Sequence, residues 1–124
     1  MNCERHDFRE PEATVHPMKL HTAPFRMIQS GQKTIELRLY DEKRRQIKPG
    51  DRIVFTNTAT GESLEKTVVQ LHRFASFTEL YESLPLLQCG YTAEDVGSAD
   101  PADMGQYYSP AKQEKYGVVG IELC

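Results

Sequence analysis

Residues 30–38 read SGQKTIELR, and Lys33, Glu36 and Arg38 bring an ammonium, a carboxylate and a guanidinium into one short stretch. Ile35, Leu37 and Leu39 alternate there with Thr34, Glu36 and Arg38, which predicts a strand with one apolar face. Same-face neighbours on a strand stand about 7 Å apart. Glu36 and Arg38 can therefore pair, and Lys33, at the start of the strand, can turn toward the same pocket. Such a group suits a polar planar ligand, a nucleobase or a phosphorylated nucleoside. The carboxylate would accept base N–H bonds while Arg and Lys meet acceptors or phosphate. Spacing alone favours the competing reading, a solvated outer face, which is the usual fate of these residue types.

Further candidates lie close by. Lys43, Arg44, Arg45 and Lys48 form a local basic loop, and Tyr40, Tyr107 and Tyr108 offer rings for exposed bases. Against this, charge runs in loops are usually solvated, Asp41 and Glu42 partly cancel this one, and tyrosines often serve the edge of a core. For Tyr107 and Tyr108 packing is favoured. His21, just before an expected helix, reads first as a cap or turn residue, and His72 as a structural strand residue.

These side chains need elements to position them. MKL (18–20) is a strand candidate. A helix then begins near His21-Thr22-Ala23-Pro24, with Thr22 as cap candidate, and Gly31 ends it. After KTIELRLY come a charged loop with a Pro49-Gly50 turn, the strand RIVFTN, a hairpin turn at ATGE and the strand SLEKTVVQLHRFAS. Phe77, Leu80, Tyr81 and Leu84 recur at helical spacing until Pro85. Residues 101–108 are ambiguous. Ser109-Pro110 starts a helix to about Tyr116, Gly117 stops it, and VVGIEL is the last strand. Strands and helices do not alternate regularly. The expected fold is therefore α+β, a small mixed β-barrel with flanking helices rather than a doubly wound sheet. Residues 1–17 lack any period and read as a flexible tail before a single domain spanning 18–124.

Composition narrows the classes. A chain of 124 residues with 39% hydrophobic and 27% charged residues fits one globular domain, not a fibre or a disordered chain. Its net charge of -3 gives no general pull toward nucleic acid, so any such site must be local. Cys3, Cys89 and Cys124 are scattered without a CxxC pair, which indicates neither a disulfide framework nor a zinc knuckle and suits a reducing compartment. Cys3, His6 and His16 lack a fourth ligand at a usual spacing, so no metal site is expected. No P-loop or dinucleotide fingerprint occurs, and no nucleotide cofactor is expected. No stretch approaches the ~20 apolar residues of a spanning helix, and no secretory signal is visible, so the expectation is a cytoplasmic protein without a membrane partner.

The segment PFRMIQSGQKTIELRLYDEKRRQIKPGDRIVFTN resembles the core of the ASCH family, named for activating signal cointegrator homology. Gly31, Lys33, Glu36 and Arg38 match its G-x-K-x-x-E-x-R motif, and Gly50, Asp51, Ile53 and Phe55 its G-D-x-I-x-F motif. YYSPAKQEKYGVVGIEL is similar to the closing helix and strand, and the resemblance runs from about Met18 to Leu123. It implies a PUA-like barrel with a cleft between helix and barrel, lined by Lys33, Glu36 and Arg38, that binds RNA or modified nucleosides.

The resemblance also brings in enzymes. One branch removes acetyl from acetylcytidine with a lysine that activates a threonine, helped by a glutamate. Lys33 matches the lysine, but Glu36 occupies the threonine position, and Glu79 and Glu82 are only nearby candidates for the third residue. A carboxylate in place of the hydroxyl would give a reactive mixed anhydride, which argues against that mechanism. Thr34 could replace it only if the backbone turned its side chain toward Lys33. Other members are ribonucleases, for which Lys33, Glu36 and His21 could supply acid, base and charge stabilisation. Binding ranks above catalysis. A third class, a protein-interaction module, is implied by family members attached to transcriptional coactivators.

Overall fold

A computed structural model describes residues 13–124. Its strands are β1 (Val15–Leu20), β2 (Ile35–Leu39), β3 (Arg52–Asn57), β4 (Ser63–Phe74) and β5 (Val118–Leu123). Its α-helices are α1 (Thr22–Ser30), α2 (Phe77–Ser83) and α3 (Pro110–Tyr116). The strands form one sheet in the order β1-β3-β4-β5-β2, parallel at β1/β3 and antiparallel elsewhere. The sheet curls into a half-barrel with β1 and β2 as its edges, as the mixed-barrel expectation required. β4 is long enough to pair with β3 through its first half and β5 through its second, with a register shift between Val68 and Gln70 where the strand bends.

Each sheet face has its own core. Met18, Leu20, Phe25, Ile28, Ile53, Phe55, Val119 and Ile121 pack inside the curl, where α1 fills the barrel. Ile35, Leu37, Leu39 and Val118 turn outward against Phe77 and Leu80 of α2 and Met104. Gly120 lets this second layer close. A Cβ there would stand 2.6 Å from Leu84 Cδ1 and 3.1 Å from Ile35 Cγ2, so a side chain would push the end of α2 off the sheet.

Several local expectations hold for identifiable reasons. Gly31 ends α1 with φ 87°, a left-handed conformation that favours glycine. Ser76 and Ser109 cap α2 and α3 by accepting from Glu79 N and Lys112 N. The helix expected up to Pro85 stops at Ser83, because Leu84 is already extended ahead of the proline. The ambiguous stretch becomes a 3-10 helix, Pro101–Gln106, closed by a reciprocal cap between Asp100 and Asp103.

Other expectations shift. Thr22 is the first helical residue rather than the cap, and its hydroxyl donates to the buried Asn57 Oδ1 at 3.2 Å, tying α1 to the end of β3. β1 begins at Val15, inside the segment read as tail, because parallel pairing with β3 from Arg52 onward supplies hydrogen bonds no sequence period announces. Residues 1–12, with Cys3 and His6, lie outside the described residues. His16 pairs with Asp51 at 2.8 Å, and Asp51 also accepts from Thr14 N and Lys48 N. Burial works against the Asp51 charge, but these bonds outweigh it and hold the carboxyl below its usual value. Asp51 therefore fastens the turn before β3 to β1. Among the described residues no helix is long and apolar enough to cross a membrane.

Candidate functional site

The turn after α1 delivers Lys33 to the open edge of the sheet. Lys33 N donates to Met27 O at 3.0 Å and Thr34 N to Gln88 O at 2.9 Å, so both sides of the junction are fixed before β2 starts. Lys33 Nζ then lies 2.8 Å from Glu36 Oε1, and Arg38 Nε lies 2.8 Å from Glu36 Oε2. Arg38 Nη2 donates to Lys19 O at 3.1 Å. A side chain thus bridges the two edge strands, between which no backbone ladder exists.

The carboxylate is almost fully withdrawn from solvent, with its side chain 4% exposed against 12% for Lys33 and 15% for Arg38. Burial alone would raise the Glu36 carboxyl. Lys33 and Arg38 outweigh it and hold Glu36 below its ordinary value. The competing reading, a solvated outer face, does not hold: the strand is buried on both sides at Glu36, because the sheet curls over its polar face. Both Glu36 oxygens are engaged, so the carboxylate anchors two cations at this edge of the sheet.

A cavity of about 860 Å³ opens beside this trio. Lys33, Glu36 and Arg38 form one wall with Lys19 and His21. Tyr81, Tyr91, Asp103, Tyr107 and Tyr108 line it from the α2 and 3-10 side. Tyr91 donates to Asp103 Oδ2 at 2.7 Å, and Tyr81 and Tyr91 share a hydroxyl contact at 2.8 Å. Burial, Tyr81 and Asp103 push the Tyr91 hydroxyl well above its ordinary pKa, so it stays protonated and donating. Cys89 also lines the cavity, and burial raises its thiol to about 11, opposed by Lys33. It is a neutral wall residue at pH 7.

The remaining candidates separate. His21 lines the cavity, without a hydrogen bond to Lys33 or Glu36. Thr34 does not line it, and its hydroxyl donates to Gln88 Oε1 at 3.2 Å, away from Lys33. Tyr40 and Arg45 stand outside the lining, where Arg45 covers the Tyr40 ring. Glu79 and Glu82 are exposed on α2 and are not lining residues. Tyr108 packs as expected, stacked on Phe77 with centroids 6.1 Å apart, whereas Tyr107 is 62% exposed. His72 pairs with Glu122 at 2.9 Å, a structural role. Tyr81, Tyr91 and Asp103 escaped sequence reasoning because they come from a helix, a loop and a 3-10 helix with no shared period. Among the described residues no group of His, Cys, Asp or Glu is placed to hold a metal ion.

Comparison with known proteins places this architecture. No curated protein matches the chain. The solved structure of hypothetical protein PH0355 is similar at 37% identity and TM-score 0.73, over 89% of this chain and 97% of that one. Protein PF0455 from Pyrococcus furiosus is also 37% identical, with TM-score 0.66 over 89% of this chain and 96% of that one. The ASCH protein from Zymomonas mobilis shares the fold at 14% identity, TM-score 0.59, over 90% of this chain and 67% of that one. The family model described as ASCH domain matches residues 18–124. With its curled five-stranded sheet, flanking helices and this match over most of its length, the chain belongs to the ASCH domain family, whose architecture is PUA-like.

Proposed function

We propose that the cavity binds RNA through a single nucleotide or modified nucleoside, with Lys33 and Arg38 as the recognising cations. One observation carries this reading. Glu36 spends its charge on two cations at 2.8 Å each, so the trio keeps a net positive charge beside a cavity of about 860 Å³. The unspent N–H donors of Lys33 and Arg38 suit an anionic or acceptor-rich ligand, and the tyrosine wall suits a planar one. A cytoplasmic location belongs to the same reading.

The hydrolase alternative has less support. Lys33, Glu36 and His21 share the cavity, but a carboxylate held below its ordinary pKa by two cations is a weak general base. Nothing specific in the geometry favours a protein-interaction surface over the cavity.

The test is a thermal-shift screen of nucleosides, modified nucleosides, nucleotides and short single-stranded RNA at low and moderate salt. Lys33→Met serves as the control variant, since it leaves the Glu36–Arg38 pair in place. Stabilisation of the wild type that is weaker in Lys33→Met and falls with salt is expected. Stabilisation of both proteins alike would move the site elsewhere, and silence across the panel would sink the reading.

A further inference from the structure

Tyr40, the residue after β2, holds two guanidinium groups on its ring. Arg45 Cζ lies 4.7 Å and Arg73 Cζ 5.1 Å from the centroid, and Arg73 Nη1 donates to Tyr40 Oη at 3.2 Å. Both arginines are exposed, and neither has a carboxylate partner among the described residues. Contact with the ring restrains both guanidiniums, and beyond the Arg73 Nη1 bond to Tyr40 their N–H groups have no carboxylate to meet among the described residues. It also brings two like charges together, a repulsion that a bound polyanion relieves.

This patch lies outside the cavity lining but follows Arg38 of the cavity wall along the chain. Tyr40 follows Arg38 by two residues on the same face of the extended chain, about 7 Å along it. Asp41 lies close enough to Arg38 and Tyr108, and Arg44 close enough to Tyr108, to act on their charge states. Arg44 is neutralised by Asp41 at 3.1 Å, which leaves Arg45 and Arg73 with the exposed Lys43, offset in part by Glu42. A cationic surplus thus extends from the cavity in a chain whose net charge is -3.

We infer that Arg45 and Arg73, braced by Tyr40, carry the phosphate backbone of a single-stranded RNA whose neighbouring nucleotide occupies the cavity. This rests on the function proposed above and extends it from a nucleotide site to a strand track. Phosphate fits this surface better than a base does. Bidentate donors remain open at the guanidinium edges, while the Tyr40 ring is already covered by its own arginines. Tyr40 is therefore a positioning residue and not a stacking platform.

The experiment measures the affinity of nucleoside monophosphates and of a short unstructured RNA for wild type and for Arg45→Gln/Arg73→Gln, across a salt series. The double variant should bind mononucleotides as wild type does and RNA about tenfold more weakly, with a log K against log salt slope shallower by about 0.7 per lost phosphate contact. Arg45→Lys/Arg73→Lys should recover the slope, with an unchanged thermal midpoint showing that both variants fold. If wild type binds RNA and the glutamine variant binds it with the same affinity and slope, the track is wrong. The track is equally wrong, with the cavity reading intact, if wild type binds RNA no more tightly than a mononucleotide. Binding of neither ligand by wild type overturns both.

Discussion

Glu36 and Glu62 each hold an arginine at hydrogen-bond distance, yet the two pairs do different things. Arg26 and Glu62 meet at 2.6 Å with both side chains 45% exposed. Water screens that pair, and holding two long side chains together costs entropy, so its shorter distance is no sign of greater strength. Glu36 sits at the edge of the barrel, 4% exposed, between Lys33 and Arg38. There the charges have lost their water, and each depends on the others for compensation. Distance is nearly the same in the two regions. Burial decides the consequence.

The sharpest break in this comparison is Glu36→Ala, which leaves two cations facing each other without their carboxylate. A loss of about 3–5 kcal/mol in denaturant unfolding is expected. A loss no larger than that from Glu62→Ala would show that water reaches the trio freely.

Next comes the triple replacement Lys33→Met/Glu36→Leu/Arg38→Met, which removes every charge at once. Stability should return to within about 1–2 kcal/mol of wild type, because apolar residues of similar size carry no desolvation cost. Nucleotide binding should be lost. Retained binding would show that the trio has no part in recognition.

Acid offers a milder probe. The folded pKa of Glu36 is depressed below its ordinary 4.5, so the stability it contributes is fully present above that value and is lost as pH falls through the lower folded pKa. Glu36→Gln should flatten this acid limb relative to wild type, in unfolding curves taken from neutral pH downward. An unchanged limb would assign it to other carboxylates such as Asp51, which is also depressed.

Tyr91→Phe, across the cavity, removes the hydroxyl that links Tyr81 to Asp103, and about 1 kcal/mol should be lost. The smallest effect belongs to Glu62→Ala, whose unfolding midpoint should match wild type at moderate salt. A clear destabilisation there would erase the distinction between exposed and buried pairs.

Much of the architecture was legible in the sequence. The alternation of Ile35, Leu37 and Leu39 marked β2, Gly31 and Gly117 marked helix ends, the spacing of Phe77, Leu80 and Tyr81 marked α2, and Ser109 marked the start of α3. Each of those signals is local, a matter of side-chain period or allowed backbone angle. The start of β1 at Val15 was not legible, since its evidence is a partner strand more than 30 residues away. Thr34 and Glu36 show the same limit at the site. They share a face by period, yet Thr34 turns to Gln88 and Glu36 to the cavity wall, because the twist at the edge of the sheet and the 86–88 turn select between them.

By itself the sequence determined which residues carry charge on β2 and that a helix and a glycine turn precede them, because short-range periodicity and backbone preference act within a few residues. Only the tertiary structure decided that Glu36 is spent on Lys33 and Arg38, that Tyr81, Tyr91 and Asp103 stand opposite, and that Tyr40 is covered by Arg45 and Arg73. Those outcomes depend on burial and on contacts between elements far apart in the chain. Desolvation, which converts a charged triplet from surface decoration into a polar wall, exists only once the sheet has curled around it.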